Sequence, residues 1–277
     1  IPLTEENVET MNEYMQAFNQ PVSTIELDQG TYANTGFTQW GASGLAVAWA
    51  EENTRDSIFK AFKRKETFAT SGPRIAVRFF GGYNLSSIDL NSDSLVSEAY
   101  KKGVTMGADL MNDDNKTPEF IVWAQKDKNG APLQRVQIVK GWMDSVSGRP
   151  YEKVYDVACS DGLEVDPLTN RCPDNGARVN ISDCSIPQNI GSSELKTVWQ
   201  DPEFNSKDKS FYYVRVLENP TCRWSTWDAI NRGFEAREDL HETIQERAWS
   251  SPIWYVPQKT GVEVIPLGGS IQLRSAD

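Results

Sequence analysis

Beyond Gly72 the apolar residues of the chain change their spacing, and this change constrains the fold more than any other feature of the sequence. Ile75, Val77 and Phe79 alternate with polar or small residues, which is the period of a strand with one buried face. Similar strand candidates follow at 120–125, 135–140, 151–157 and 211–217. Since turns rather than helices separate these segments, we predict antiparallel sheets, most simply a β-sandwich.

The residues before this change follow a helical period. Apolar spacing predicts an amphipathic helix over residues 4–19, and the apolar run at 45–49 predicts a short buried strand. A second helix should follow, capped by Asn53 or Thr54. Its predicted inner face is formed by Ile58, Phe59 and Phe62. We therefore expect an α+β, mainly β chain with a boundary near residues 67–73.

Four cysteines lie in one polar, turn-rich stretch, and their spacing favours disulfides. They are Cys159, Cys172, Cys184 and Cys222. Zinc sites mostly use closely spaced pairs, and no two of these cysteines are separated by only two residues. Two disulfides are the simplest interpretation, with all three pairings open; four reduced, unrelated cysteines are the alternative. Disulfides would indicate an oxidising compartment, so we expect a periplasmic or secreted protein.

The charge balance excludes several classes of partner. A net charge of −11 and a pI of about 4.8 argue against nucleic acid and against an anionic membrane surface. The apolar runs are too short to span a bilayer. The chain starts at Ile1, with neither a start methionine nor a signal peptide, so we expect it to be part of a longer protein.

A single histidine, His241, argues against a polynuclear metal centre in this chain. Neutral imidazole is the commonest protein ligand for zinc and similar metals, and one imidazole cannot furnish such a centre. We predict a surface position for His241, no metal ligands, no bound cofactor and no catalytic residue in this chain.

Two segments are candidates for contact with a ligand. The first lies between the predicted strand and the second helix, where two carboxylates, an amide and a guanidinium could orient a polar substrate. It consists of Glu51, Glu52, Asn53 and Arg55. The simpler interpretation is helix capping, because acidic residues near a helix N-terminus are favourable without any further role.

The second segment combines a cation with two indole rings. It contains Arg223, Trp224 and Trp227, in a chain with nine tryptophans. Aromatic platforms with polar edges bind sugars and other flat ligands. The alternative is that these rings pack between a sheet and an irregular loop.

Six long strings together resemble a known family. They are GLAVAWAEENTR (44–55), RKETFATSGPRI (64–75), RFFGG (78–82), PLQRVQIVKGW (132–142), FYYVRVLENP (211–220) and IQERAWSSPIWY (244–255). Over residues 40–256 the chain resembles the C-terminal part of the bacterial family catalogued as domain of unknown function 3604. Members of that family are longer and look related to the polymerase-and-histidinol-phosphatase (PHP) metallohydrolases.

The resemblance implies that the N-terminal part of the whole protein and the present chain have different roles. The family's front half resembles a distorted barrel that holds metal through His- and Asp-rich motifs, and none of those motifs occurs in this chain. Residues 1–72 would be the last barrel elements, and 73–277 an accessory sandwich with a disulfide-stapled loop. The whole protein would be a metal-dependent hydrolase of an unknown small molecule, such as a phosphate ester, with a divalent metal in its N-terminal part. The alternative is a non-catalytic module that binds carbohydrate or another ligand, or that is purely structural.

Overall fold

The computed structural model describes residues 4–16, 23–33, 40–41, 43–257, 262–267 and 270–275. Its helices are α1 (Glu5–Gln16), α2 (Arg55–Arg64), α3 (Leu95–Lys102) and α4 (Trp224–Arg232). Its strands are β1 (Thr24–Leu27), β2 (Gly30–Ala33), β3 (Leu45–Ala48), β4 (Thr67–Thr70), β5 (Ala76–Gly82), β6 (Gly103–Thr105), β7 (Asp109–Met111), β8 (Glu119–Gln125), β9 (Leu133–Met143), β10 (Pro150–Cys159), β11 (Glu194–Gln200), β12 (Lys209–Glu218), β13 (Thr221–Cys222), β14 (Thr243–Ile244), β15 (Arg247–Ser250), β16 (Ile253–Val256), β17 (Val262–Leu267) and β18 (Ser270–Ser275).

The larger of two main sheets has eight strands. Its order is β10-β9-β12-β15-β4-β3, with β16 beside β12 and β7 beside β16. All of its pairs are antiparallel except β16 with β7. Three pairs of short strands form separate ribbons: β1 with β2, β13 with β14, and β17 with β18. The predicted mainly β chain with antiparallel sheets is confirmed.

The second main sheet has the order β11-β8-β5-β6, and its inner face shares one hydrophobic core with the larger sheet. Phe79 and Phe120 project into this core and meet Tyr212 from the larger sheet; the Phe120 and Tyr212 ring centroids are 4.4 Å apart. The next residues along the strands, such as Phe80, project to the opposite face. There they pack against Leu95 and other side chains around α3. Both faces of the central part of this sheet are therefore covered, which agrees with the run of apolar residues in β8 from Phe120 to Ala124.

The strands predicted from alternation are confirmed as β5, β8, β9, β10 and β12. The helix predicted over 4–19 is confirmed over Glu5–Gln16 as α1, and residues 17–19 lie outside the described residues. Thr4 accepts a hydrogen bond from the Asn7 amide at the start of this helix. The strand predicted at 45–49 is confirmed as β3, but the prediction that it is buried is wrong, because Leu45 and Ala46 are exposed. This strand lies at the edge of the larger sheet.

The predicted inner face of α2 is wrong for Phe59 and Phe62, whereas Ile58 is half-buried. Phe59 and Phe62 are 58% and 53% exposed, whereas the buried positions of the helix are Ser57 and Ala61. These two small residues are four apart and therefore lie on one face, where they allow the helix backbone to approach its neighbours closely. The bulky aromatic residues project outward instead.

Two disulfides staple the long connection between β10 and β11, as the sequence predicted. Of the three possible pairings, the structure has Cys159 with Cys172 and Cys184 with Cys222. The first bond ties the end of β10 to the start of the connection. The second ties the middle of the connection to β13. This segment contains mostly turns and isolated bridges, so covalent links replace the hydrogen-bonded ladders found elsewhere.

The larger sheet continues across the predicted boundary at residue 72, because β4 pairs with β15. The division into two domains at this point stays a prediction. Within the described ranges the sheets are open and none closes into a barrel, so the barrel remnant also stays a prediction. Among the described helices, none combines the length and apolar character needed to cross a membrane.

Candidate functional site

The segment that links β3 to α2 forms a helix cap. Thr54 is the N-cap residue, and its side chain accepts a hydrogen bond from the Ser57 amide at 3.3 Å. The Ser57 hydroxyl donates to Glu51 Oε2 at 3.0 Å and accepts from the Glu52 amide at 3.1 Å. Three backbone and hydroxyl donors at the helix start are satisfied in this way. The simpler of the two sequence interpretations, capping, accounts for these contacts.

Glu51 also connects this cap to the end of the same helix. Its Oε1 lies 3.0 Å from Arg64 Nη2, while the Glu51 side chain is 66% exposed. A hydrogen bond from its own backbone amide, then one from Ser57, hold the pKa of Glu51 below its usual value, and Arg64 adds to this. Glu52, Asn53 and Arg55 are exposed to solvent. Of the four predicted residues, Glu51 is therefore the one held in a fixed network.

Behind this network lies a buried carboxylate that sequence reasoning missed. The side chain of Glu66 is 3% exposed and accepts hydrogen bonds from Thr105 Oγ1 at 3.2 Å and from the Tyr100 hydroxyl. Arg64 Nη2 and Arg78 Nη1 lie 3.4 and 3.6 Å from its oxygens. Burial, and then the hydrogen bond to Glu66, raise the pKa of Tyr100 to about 12. Glu66 is fully partnered, so it holds side chains in place rather than acting as a base.

Arg78 extends the network onto an indole ring. Its guanidinium carbon lies 3.6 Å from the centroid of Trp49, within range of a cation–π contact. Trp49 Nε1 donates to the Val77 carbonyl oxygen at 2.8 Å, which fixes the ring against β5. We call the whole set the Glu66 cluster; it comprises Trp49, Glu51, Arg64, Glu66, Arg78 and Tyr100. The cluster joins β3, α2, β5 and α3 and so fixes the orientation of α2.

The outer side of α2 carries an aromatic pair, which we call the α2 face. It consists of Phe59 and Phe62, three residues apart and hence on adjacent turns of one side. Lys63 Nζ lies 5.6 Å from the Phe59 ring centroid. Large apolar side chains exposed side by side are typical of surfaces that contact another protein or domain.

The tryptophan candidates lie at the start of α4, a helix that sequence reasoning missed. Arg223 Nη2 and Trp224 Nε1 each donate to the Trp40 carbonyl oxygen at 2.8 Å. Trp224 and Trp227 are 41% and 44% exposed, whereas Arg223 is buried. The polar edge of Trp224 is thus used by the chain itself, which favours packing as the role of this residue.

The described residues do not fit the metal centre that the resemblance implies for a PHP-like hydrolase. His241 is exposed, as predicted. All four cysteines are in disulfides. Within the part of the chain that the structure describes, no group of three or more His, Cys, Asp or Glu side chains is placed to hold an ion.

Comparisons with known proteins identify a family. The family model described as "Protein of unknown function (DUF3604)" matches residues 4–257. No curated protein and no solved structure matches the chain. The match covers both main sheets, the Glu66 cluster and the α2 face.

Proposed function

The chain belongs to the family of proteins of unknown function DUF3604, and from that premise we propose that it is the non-catalytic C-terminal part of a PHP-like metal-dependent hydrolase. A divalent metal and the catalytic residues lie in an N-terminal barrel of the same protein. The substrate is a small molecule, with phosphate esters as the first class to test. The role of this chain is to support the barrel from one side.

The observation that carries the proposal is the α2 face. In this proposal α2 is among the last elements of the barrel, as the resemblance implies. This helix exposes its two phenylalanines while burying Ser57 and Ala61. Because these rings are 58% and 53% exposed, covering the rest of each would contribute about 0.8–1.7 kcal/mol. A docked barrel would supply that cover.

The Glu66 cluster supports the same role because it makes α2 rigid. Arg64, in the last turn of the helix, is held between Glu51 at 3.0 Å and Glu66 at 3.4 Å. A helix fixed at its end loses little conformational freedom when a partner binds, which favours docking.

The proposed compartment is the periplasm or the cell exterior. Both disulfides need an oxidising environment to form and persist, and cytosolic proteins rarely carry such pairs. The described helices include no membrane-spanning candidate.

Replacing Phe59 and Phe62 by alanine in the natural, full-length protein and in the 277-residue chain tests the proposal. In the full-length protein we expect a lower thermal midpoint and less chelator-sensitive hydrolysis of bis(para-nitrophenyl) phosphate. In the 277-residue chain the same pair should change stability little, since both rings are exposed. Phe234→Ala, at a 49% exposed ring on another surface, is the matched control. Equal effects of the double variant in both proteins would contradict the proposal.

A ligand-binding module that uses Trp224 and Trp227 is the alternative. It has less support, because the Trp224 edge and Arg223 already bind the Trp40 carbonyl.

A further inference from the structure

The outer face of the larger sheet carries an open groove of about 770 Å³, far from the Glu66 cluster in sequence. Its walls include residues from β7, β9, β10, β12 and β16. Exposed apolar side chains line it, notably Trp254 (44% exposed) and Met143 (50%). A volume of this size is within the range of small-molecule and oligosaccharide sites.

The floor of the groove is a row of five residues, one from each of five neighbouring strands. Glu152 pairs with Gly141, Gly141 with Phe211, Phe211 with Trp254, and Trp254 with Asp109. Directly paired residues project to the same face of a sheet. Four strand spacings of about 4.8 Å make the row about 19 Å long. We call these residues the cross-strand row.

A glycine in the middle of the row shapes the floor. A Cβ atom added to Gly141 would lie 2.3 Å from the Phe211 ring, so this ring lies directly over the glycine backbone. The Phe211 centroid is 5.1 Å from that of Trp254. The row therefore has a flat aromatic centre between two carboxylates, Glu152 and Asp109 at its ends.

The charged groups of the groove are not engaged by the protein. Among the described residues, the side chains of Asp109, Glu152 and Lys209 have neither a hydrogen bond nor an ion pair. Lys209 lies one pair further along β12, opposite Met143. The Trp254 indole N–H likewise has no partner in the described part of the chain. The groove thus offers free acceptors at both ends and free donors beside an aromatic platform.

We propose that the cross-strand row binds a carbohydrate chain. Sugar rings present C–H faces that stack on aromatic rings and hydroxyls that both donate and accept hydrogen bonds. Trp254 and Phe211 supply the stacking surface. Glu152 and Asp109 accept from hydroxyls, and Lys209 and the Trp254 N–H donate. A purely apolar ligand would exclude water from these polar groups without offering them a hydrogen-bond partner. A simple cation would be repelled by the positive charge of Lys209.

This site is independent of the proposed hydrolase role and differs from the Trp224 and Trp227 candidate. None of the Glu66 cluster lines the groove, and the groove lies at β16, not at β15, the strand that pairs with β4. Failure of one proposal leaves the other intact.

The test starts with the 277-residue protein on an array of soluble oligosaccharides derived from glucan, xylan, mannan, galactan and chitin. The tightest hit is then titrated by calorimetry. We expect binding that weakens at least about tenfold in Trp254→Ala, a loss of about 1.4 kcal/mol or more. Phe234→Ala is the matched control, because this ring is 49% exposed and does not line the groove, and it should change affinity less than about twofold.

Two further variants probe the geometry without removing an aromatic ring. Gly141→Ala should displace the Phe211 ring and weaken binding. Glu152→Gln removes one charge from an exposed side chain and should weaken binding without lowering the thermal midpoint. Absence of binding to every oligosaccharide, equal loss in Trp254→Ala and Phe234→Ala, or preference for a quaternary ammonium such as choline would overturn the proposal.

Discussion

Lys140 and Asp201 form a buried ion pair, and replacing Lys140 by methionine should destabilise the fold strongly. The two side chains are 3% and 0% exposed, and Nζ lies 2.5 Å from Oδ2. Asp201 also accepts hydrogen bonds from the Tyr212 hydroxyl at 2.7 Å and from the Glu203 amide at 2.9 Å. These hydrogen bonds remain in the variant, but Asp201 loses Lys140, its one ion-pair partner among the described residues.

Removing one partner of a buried pair leaves an uncompensated charge, which costs about 3–5 kcal/mol. For a chain of this size each kcal/mol lowers the thermal midpoint by about 2–4 °C, so the expected shift is roughly 6–20 °C. The variant should regain stability relative to the natural chain as the pH falls, since the unpaired carboxyl would be protonated in the folded state.

Lys153→Met is the matched control for this measurement. Lys153 lies on the neighbouring strand β10, pairs with Glu203 at 2.5 Å and contacts the ring of Tyr155, but its side chain is 34% exposed and that of Glu203 51%. A surface pair of this kind contributes about 0–1 kcal/mol. Urea unfolding followed by tryptophan fluorescence compares the two variants. Equal losses of unfolding free energy would refute the reasoning that burial sets the cost.

Three further outcomes are expected. Cys184→Ser opens a disulfide with a separation of 38 residues and should lower the unfolding free energy by about 4 kcal/mol, measured by urea unfolding. In a reducing buffer, where both the variant and the natural chain lose their disulfides, the two should have equal unfolding free energies. Burial, and then the charge of Glu246, raise the pKa of Glu218 from 4.5 to about 8, so the folded protein keeps this carboxyl neutral. The unfolding free energy should therefore fall as the pH rises from about 4.5 to 8, and Glu218→Gln should make it depend less on pH in this range. Gly107→Ala should destabilise more than Gly148→Ala in thermal melts, because both glycines have positive φ but a Cβ at Gly107 would lie 2.2 Å from a backbone oxygen. Equal melting points for the two alanine variants would contradict the clash.

Alternation along the chain predicts the main strands because each strand carries its own local pattern. In β12, which has ten residues, buried positions alternate with partly exposed ones over most of its length. β9 has eleven residues and is buried at almost every position, so its strand is indicated by its length and apolar content rather than by alternation. Helix α3 was missed because it has only eight residues, with Leu95 and Ala99 as its buried positions. Helix α4 was not predicted because it has only nine residues, and its two tryptophans were interpreted as a ligand platform.

Other features depend on contacts that no local pattern encodes. The burial of Ser57 and Ala61 instead of Phe59 and Phe62 depends on what α2 meets, so amphipathicity alone gives the wrong face. The cross-strand row depends on strand order, since it joins Asp109 to residues of strands far along the chain. The disulfide pairing likewise follows from the path of the connection after β10. The sequence supplied the number of bonds but left their connectivity open.

Mass and metal analysis of the natural gene product, combined with an activity assay, tests the central claim most directly. The account predicts a mature species much heavier than 31.1 kDa that carries stoichiometric divalent metal and hydrolyses bis(para-nitrophenyl) phosphate in a chelator-sensitive way. The 277-residue chain alone should hold no such metal and show no such activity. Robust chelator-sensitive turnover by the 277-residue chain alone would contradict the claim.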